Sequence, residues 1–150
     1  MHESREEIEF LEYIYQNVKM CQESSGRIIR INTLDKKMFI ILKDTINEYK
    51  KIATSAKAML LRRKKDAIDI GIISKFATYI NVKLNMSKID EKVQIAKILI
   101  QNSNVVTEQI IDKINDYKIK NKAVLSLAKR FIDIENRNVV NFKVYIKDTN

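Results

Sequence analysis

Proline and tryptophan are missing from this chain, and 150 residues contain only two glycines, Gly26 and Gly71. Proline and glycine stop helices and shape tight turns. Their scarcity argues against a β-rich fold and for long uninterrupted helices. A single cysteine, Cys21, excludes an internal disulfide and a cysteine-based zinc site. The single histidine, His2, stands at the start of the chain, so no imidazole is available inside the domain. Long apolar runs are lacking too. The longest, such as Met38 to Leu42, are a few residues, against the roughly 20 that a membrane-spanning helix needs. The opening His2-Glu3-Ser4-Arg5-Glu6-Glu7 is polar and acidic, unlike a signal peptide, and a cytoplasmic location is expected. No glycine-rich phosphate loop and no nucleophile beside a base can be found, so neither catalysis nor a cofactor is expected.

What is abundant is positive charge. Lys and Arg number 28 against 19 Asp and Glu, a net charge of +9. Such an excess favours anionic partners, although lysine is a less specific phosphate reader than arginine. The length suits one domain with a sizeable core.

Apolar spacing at three and four residues predicts four long helices. The first runs from about Ser4 to Ile31, with the seam Leu11, Ile14, Val18, Cys21, Ser25, Ile28. Cys21 in that seam reads as a small buried hydrophobe. The second runs to about Lys64 from an N-cap at Thr33, with the seam Ile41, Thr45, Glu48, Ile52, Ser55, Met59. The third, capped by Ser87, carries Val93, Ala96, Ile100, Ser103, Thr107, Ile110, Ile114 and Tyr117. The fourth covers about Lys120 to Lys147, with Val124, Ala128, Phe131, Glu135, Asn138, Phe142 and Tyr145. Residues 66–86 are expected to form a separate apolar helix joining two hairpins. A connection of that length lets the second and third helices run parallel, as in bundles with one long crossover.

Two glutamates interrupt these seams, Glu48 and Glu135, each near the middle of its helix. A carboxylate at a core position is costly unless something pairs with it. Inward mid-helix carboxylates are also how di-metal sites are built in helical bundles.

The pattern resembles ferritin-like proteins, and more narrowly a family of small bacterial four-helix proteins of this length with a degenerate di-metal site. The resemblance lies in Ser87-Lys88-Ile89, in Ala96 to Ser103, in Asn115-Asp116-Tyr117-Lys118 and in Asn47-Glu48-Tyr49-Lys50. It implies an antiparallel four-helix, all-α bundle made of two hairpins with a helical crossover, and a bacterial setting. It implies no particular activity.

The ferritin-like di-iron pattern asks for Glu on one helix and Glu-x-x-His on its partner, in both halves. Here the motifs read Glu48-x-x-Lys51 and Glu135-x-x-Asn138. Folding the first hairpin about Asn32 sets Gln16 level with Glu48. Folding the second about Ile119 sets Ser103 level with Glu135, with Asn102 beside it. Both histidines and both opposing carboxylates are therefore replaced. Glu48 and Glu135 are read as a buried polar layer or as ligands of a weakly held hard cation. Glu23 and Glu108 fall off the seams and should face solvent.

A candidate anion or nucleic-acid patch gathers Arg62, Arg63, Lys64, Lys65, Lys118, Lys120 and Lys122 at one end of the bundle, where glutamates of the first helix offset part of the field. Arg27, Arg30, Lys36, Lys37 and Lys147 collect at the other end. The crossover helix, with Ile68, Ile70, Ile72, Ile73, Phe76, Tyr79, Ile80, Val82 and Leu84, holds more apolar residues than one stripe needs. It is a candidate surface for homo-oligomerisation. The expected role is that of a non-catalytic structural or interaction bundle. The alternatives are a hard-metal-binding bundle and a basic nucleic-acid-associated one.

Overall fold

A computed structural model describes residues 2–67 and 91–147, with side chains for 5–67 and 91–146. These residues hold four helices and no strand: α1 (His2–Ile28), α2 (Lys36–Arg62), α3 (Glu91–Tyr117) and α4 (Lys122–Lys147). The expected crossover helix over 66–86 and the Ser87 cap lie outside the described residues, apart from Asp66 and Ala67.

The helix ends show how a chain so poor in glycine stops its helices. Lys64 and Lys118 take the left-handed backbone conformation, with φ of 58° and 52°. Beyond α2, the Lys65 N–H donates to the Leu60 carbonyl and the Lys64 N–H to that of Leu61, both at 2.9 Å. Beyond α3, Ile119 and Lys118 repeat the arrangement onto Ile114 and Asn115, at 3.1 and 3.2 Å. This is the Schellman closure, here built with lysine where glycine is usual. At the N-termini, Asp35 caps α2 by accepting the Met38 N–H at 3.2 Å. Asn121 caps α4 by accepting from Ala123 and Val124. The expected Thr33 cap is thus displaced by two residues. The Thr33 hydroxyl instead donates to Glu91 at the start of α3, at 2.9 and 3.0 Å.

That bond, and one from the Tyr145 hydroxyl to Asp35 at 2.9 Å, fix the topology. The start of α3 and the end of α4 both lie at the α1–α2 turn. The helices therefore form two antiparallel hairpins, and α2 runs parallel to α3. Around the bundle the order is α1, α2, α4, α3, with α2 and α3 diagonal and out of contact. Every neighbouring pair is antiparallel.

The apolar faces fill the centre in two separate clusters. One holds Phe10, Ile14, Val18, Ile52, Leu60, Val106, Phe131 and their neighbours. The other, at the α1–α2 turn end, holds Ile28, Met38, Leu42, Ile95, Leu99 and Phe142. On each helix the polar residues that are buried fall between these clusters: Ser24 and Ser25 on α1, Thr45 on α2, Ser103 on α3, Glu135 and Asn138 on α4. A polar layer cuts the core across all four helices.

Candidate functional site: a closed polar layer around Glu135

Glu135 is 1% exposed. The α4 seam carries it inward between Phe131 and Phe142, both fully buried. A carboxylate so placed needs donors on its oxygens. The Tyr49 hydroxyl donates to Oε1 at 2.8 Å and the Ser103 hydroxyl to Oε2 at 2.5 Å. The network continues sideways. Asn138 Nδ2 donates to the Tyr49 oxygen at 3.2 Å, and Thr45 donates to Asn138 Oδ1 at 3.1 Å. Tyr49 also meets Phe131 edge to face, with ring centroids 6.0 Å apart. From α1 the buried Cys21 thiol adjoins Glu135. Each helix therefore supplies a member.

Burial dominates the electrostatics. It raises the Glu135 carboxyl above its ordinary value, against the opposing pull of the bonds from Ser103, Tyr49, Cys21 and Asn138. Burial likewise pushes the Cys21 thiol and the Tyr49 phenol well up, and the neighbouring Glu135 charge adds to both. Cys21 is thus a poor nucleophile. Among the described residues, Asn102 Nδ2 and Thr107 Oγ1 on α3 are buried without a hydrogen-bond partner, and buried Glu48 Oε2 on α2 has only its ion pair with Arg137.

The second hairpin has the expected register: Ser103 meets Glu135. On α1 the expectation fails. Gln16 lies off the core face, half-buried, and Cys21 takes the place opposite Tyr49 and Glu135. Glu48 also departs from its expected place beside Glu135. The buried face of α2 is Met38, Leu42, Thr45, Ile46, Tyr49, Ile52, Ala53, Ala56 and Leu60, turned by about one residue from the expected seam. The aromatic ring of Tyr49 takes the core position and Glu48 falls at its edge. Its side chain is 37% exposed and pairs with Arg137 of α4. The two residues border an open surface groove between α2 and α4, with Asp44 and Lys51. Tyr49 was missed by the sequence reading, although the series Leu42, Tyr49, Ala53, Ala56, Leu60 is an equally regular stripe.

These surroundings do not suit a di-metal centre. Both oxygens of Glu135 accept hydroxyl protons, and Glu48 is engaged by a guanidinium. Among the described residues, no three His, Cys, Asp or Glu side chains come together as ligands. Lys51 and Asn138 stand where imidazoles would be needed; Lys51 is exposed and Asn138 belongs to the polar network.

The basic end-patch is placed as follows. Arg63 turns back to Glu7 of α1, with Nη2 at 3.0 Å and Nε at 3.2 Å, and its Nη1 donates to the Met59 carbonyl. Lys118 and Lys120 line a shallow groove with Glu6 and Glu7. The remaining members, Arg62, Lys64, Lys65 and Lys122, are exposed. Acidic residues of α1 do intrude on this end. Glu23 and Glu108 are exposed, as expected. No described helix is long and apolar enough to cross a membrane.

In comparison with known proteins, the chain matches no family model, and neither a curated protein nor a solved structure proves significantly similar to it.

Proposed function

We propose that the chain is a non-catalytic helical bundle of ferritin-like arrangement that works as a structural or interaction protein. The observation that carries this reading is the state of Glu135. Its two oxygens are consumed by Tyr49 and Ser103, and none of the surface grooves described is lined by it. A carboxylate kept for catalysis or for a ligand needs a free oxygen and a route to it. Among the described residues each oxygen of Glu135 is already held by a hydroxyl, and no groove reaches the carboxyl.

The ferritin-like arrangement draws support from the two hairpins, the parallel diagonal pair α2 and α3, and the central glutamate of α4 facing α3. In this reading the polar layer records a helix pairing. A layer in which each helix must present its polar residue at one level disfavours slipped registers, a role attested for buried polar groups in helical assemblies.

The test is elemental analysis of the purified protein, together with thermal unfolding in the presence of magnesium, manganese, calcium and zinc. A ligand that binds the folded state raises its melting temperature by mass action. The reading predicts no bound metal and no rise. Stoichiometric metal, with a rise removed by Glu135→Gln, would refute it.

A further inference from the structure

The net charge of this chain is distributed very unevenly over the bundle. α2 carries seven basic and two acidic residues, and α4 carries six and two. One of the α4 acids is the buried Glu135. In contrast, α1 carries three basic and six acidic residues, and α3 three and four. α2 and α4 are neighbours, and so are α1 and α3. The bundle is therefore polarised across its width, with one side basic and the other acidic. This polarity is separate from the end-patch, where cations and α1 glutamates mix.

We propose that the α2–α4 side docks the phosphate backbone of a nucleic-acid duplex without reading its sequence. This rests on reading the chain as an interaction protein and names the partner. Three features of the surface select that occupant. The basic residues extend along both helices from end to end. At 27 residues α2 is about 40 Å long, the length of roughly 12 base pairs. The exposed large apolar side chains of these helices, Phe39, Ile40, Leu61, Val140 and Val144, lie within about two turns of the helix ends, and the stretches Lys43 to Lys57 and Lys122 to Arg137, which carry most of the cations, hold none. Insertion into a lipid headgroup layer calls for such side chains among the cations rather than beyond them. The only exposed aromatic ring described on α2 and α4 is Phe39, so a stacking platform for single-stranded bases is missing. A cationic face of mostly lysines, interrupted at the α2–α4 groove by Asp44, Glu48 and Asp133, suits a regular array of phosphates. The acidic α1–α3 side of a second copy is also complementary, but copies each carrying +9 repel one another overall.

The experiment is fluorescence anisotropy with a labelled duplex of about 20 base pairs, titrated between about 50 and 200 mM salt. Two quadruple variants are compared with the unaltered chain. One carries Lys50→Gln, Lys51→Gln, Lys129→Gln and Arg130→Gln, all exposed on α2 and α4. The other carries Lys19→Gln, Arg27→Gln, Lys92→Gln and Lys97→Gln on α1 and α3, and so has the same net charge. Engagement of about six phosphates gives a log–log salt slope of about −5 for the unaltered chain. The α2–α4 variant should lose about three to four of that slope and at least about tenfold in affinity. The α1–α3 variant should stay within about threefold. No binding at the lowest salt, or equal losses in both variants, would overturn the proposal. Anionic phosphatidylserine vesicles and sedimentation of the protein alone run in parallel. If either is positive while the duplex is not, the nucleic-acid assignment falls and the interaction reading stands. If all three are negative, both fall.

Discussion

Replacing Glu135 by alanine removes the acceptor of two buried hydroxyls at once. Hydrogen bonds to an ionised group contribute about 1.5–3 kcal/mol each. The Tyr49 and Ser103 hydroxyls would then be left as buried donors at 3% and 5% exposure. Removing a carboxyl that burial disfavours returns part of this. Breaking one member out of a buried charged network costs about 3–5 kcal/mol in comparable cases, and we expect that range here. Domains of this size have about 5–15 kcal/mol of total stability, so the loss should be evident as a fall of about 10 °C in melting temperature. Glu48→Ala makes the contrast. Its side chain is 37% exposed and its Arg137 partner 51%, so the pair is a surface ion pair worth about 0–1 kcal/mol. Among the described residues the two glutamates share no partner, so the double variant should equal the sum of the singles within about 0.5 kcal/mol. Urea unfolding followed by far-UV circular dichroism measures all three. Equal costs at the two positions, or a strongly non-additive double variant, would refute the assignment of Glu135 and Glu48 to separate environments.

Three further outcomes follow from particular residues. The Glu135 carboxyl is raised above 4.5 by burial, so in the pH range just above that value the folded chain holds a proton that the unfolded chain releases. This group's contribution to stability therefore falls as pH rises through that window, and Glu135→Gln should gain on the unaltered chain as urea midpoints are measured from about pH 4 to 7; a loss with rising pH would contradict the burial argument. An added Cβ at Gly26, inside α1, would meet nothing within 4 Å, so Gly26→Ala should stabilise by about 0.5–1 kcal/mol, and Lys118→Gly should relieve the left-handed backbone by about 1 kcal/mol. Destabilisation by either change, seen in thermal unfolding, would count against the helix geometry. The Cys21 thiol, buried and pushed well up, should react with a disulfide reagent only as fast as the chain opens, and reaction at the rate of a free thiol in the folded protein would place it outside the core.

Much of the fold could be read from spacing, because long helices without breakers leave a regular apolar stripe. The stripes of α1 and α4 match the buried faces, and the fold about Ile119 brought Ser103 to Glu135. α2 was harder to read because it offers two stripes one residue apart. One runs through Glu48 and the other through Tyr49, and only the packing of Tyr49 on Phe131 and its bond to Glu135 decide between them. The helix stops were also hidden. Lysine in a left-handed conformation is set by tertiary closure and leaves no local signal, unlike glycine. The charge polarity depends on which helices are neighbours, and that is a property of the three-dimensional arrangement.

The central claim is that Glu135 belongs to a closed internal layer whose polar members satisfy one another. The most direct test replaces the members together with apolar residues of similar size: Thr45→Val, Tyr49→Phe, Ser103→Ala, Glu135→Met and Asn138→Leu in one chain. Removing all partners at once leaves few of the layer's groups unpaired, and such exchanges are often neutral or stabilising. The account predicts a cooperatively unfolding helical protein, at least as stable in urea as the unaltered chain and well above Glu135→Ala. A fivefold variant as unstable as Glu135→Ala, or one without a cooperative transition, would contradict it.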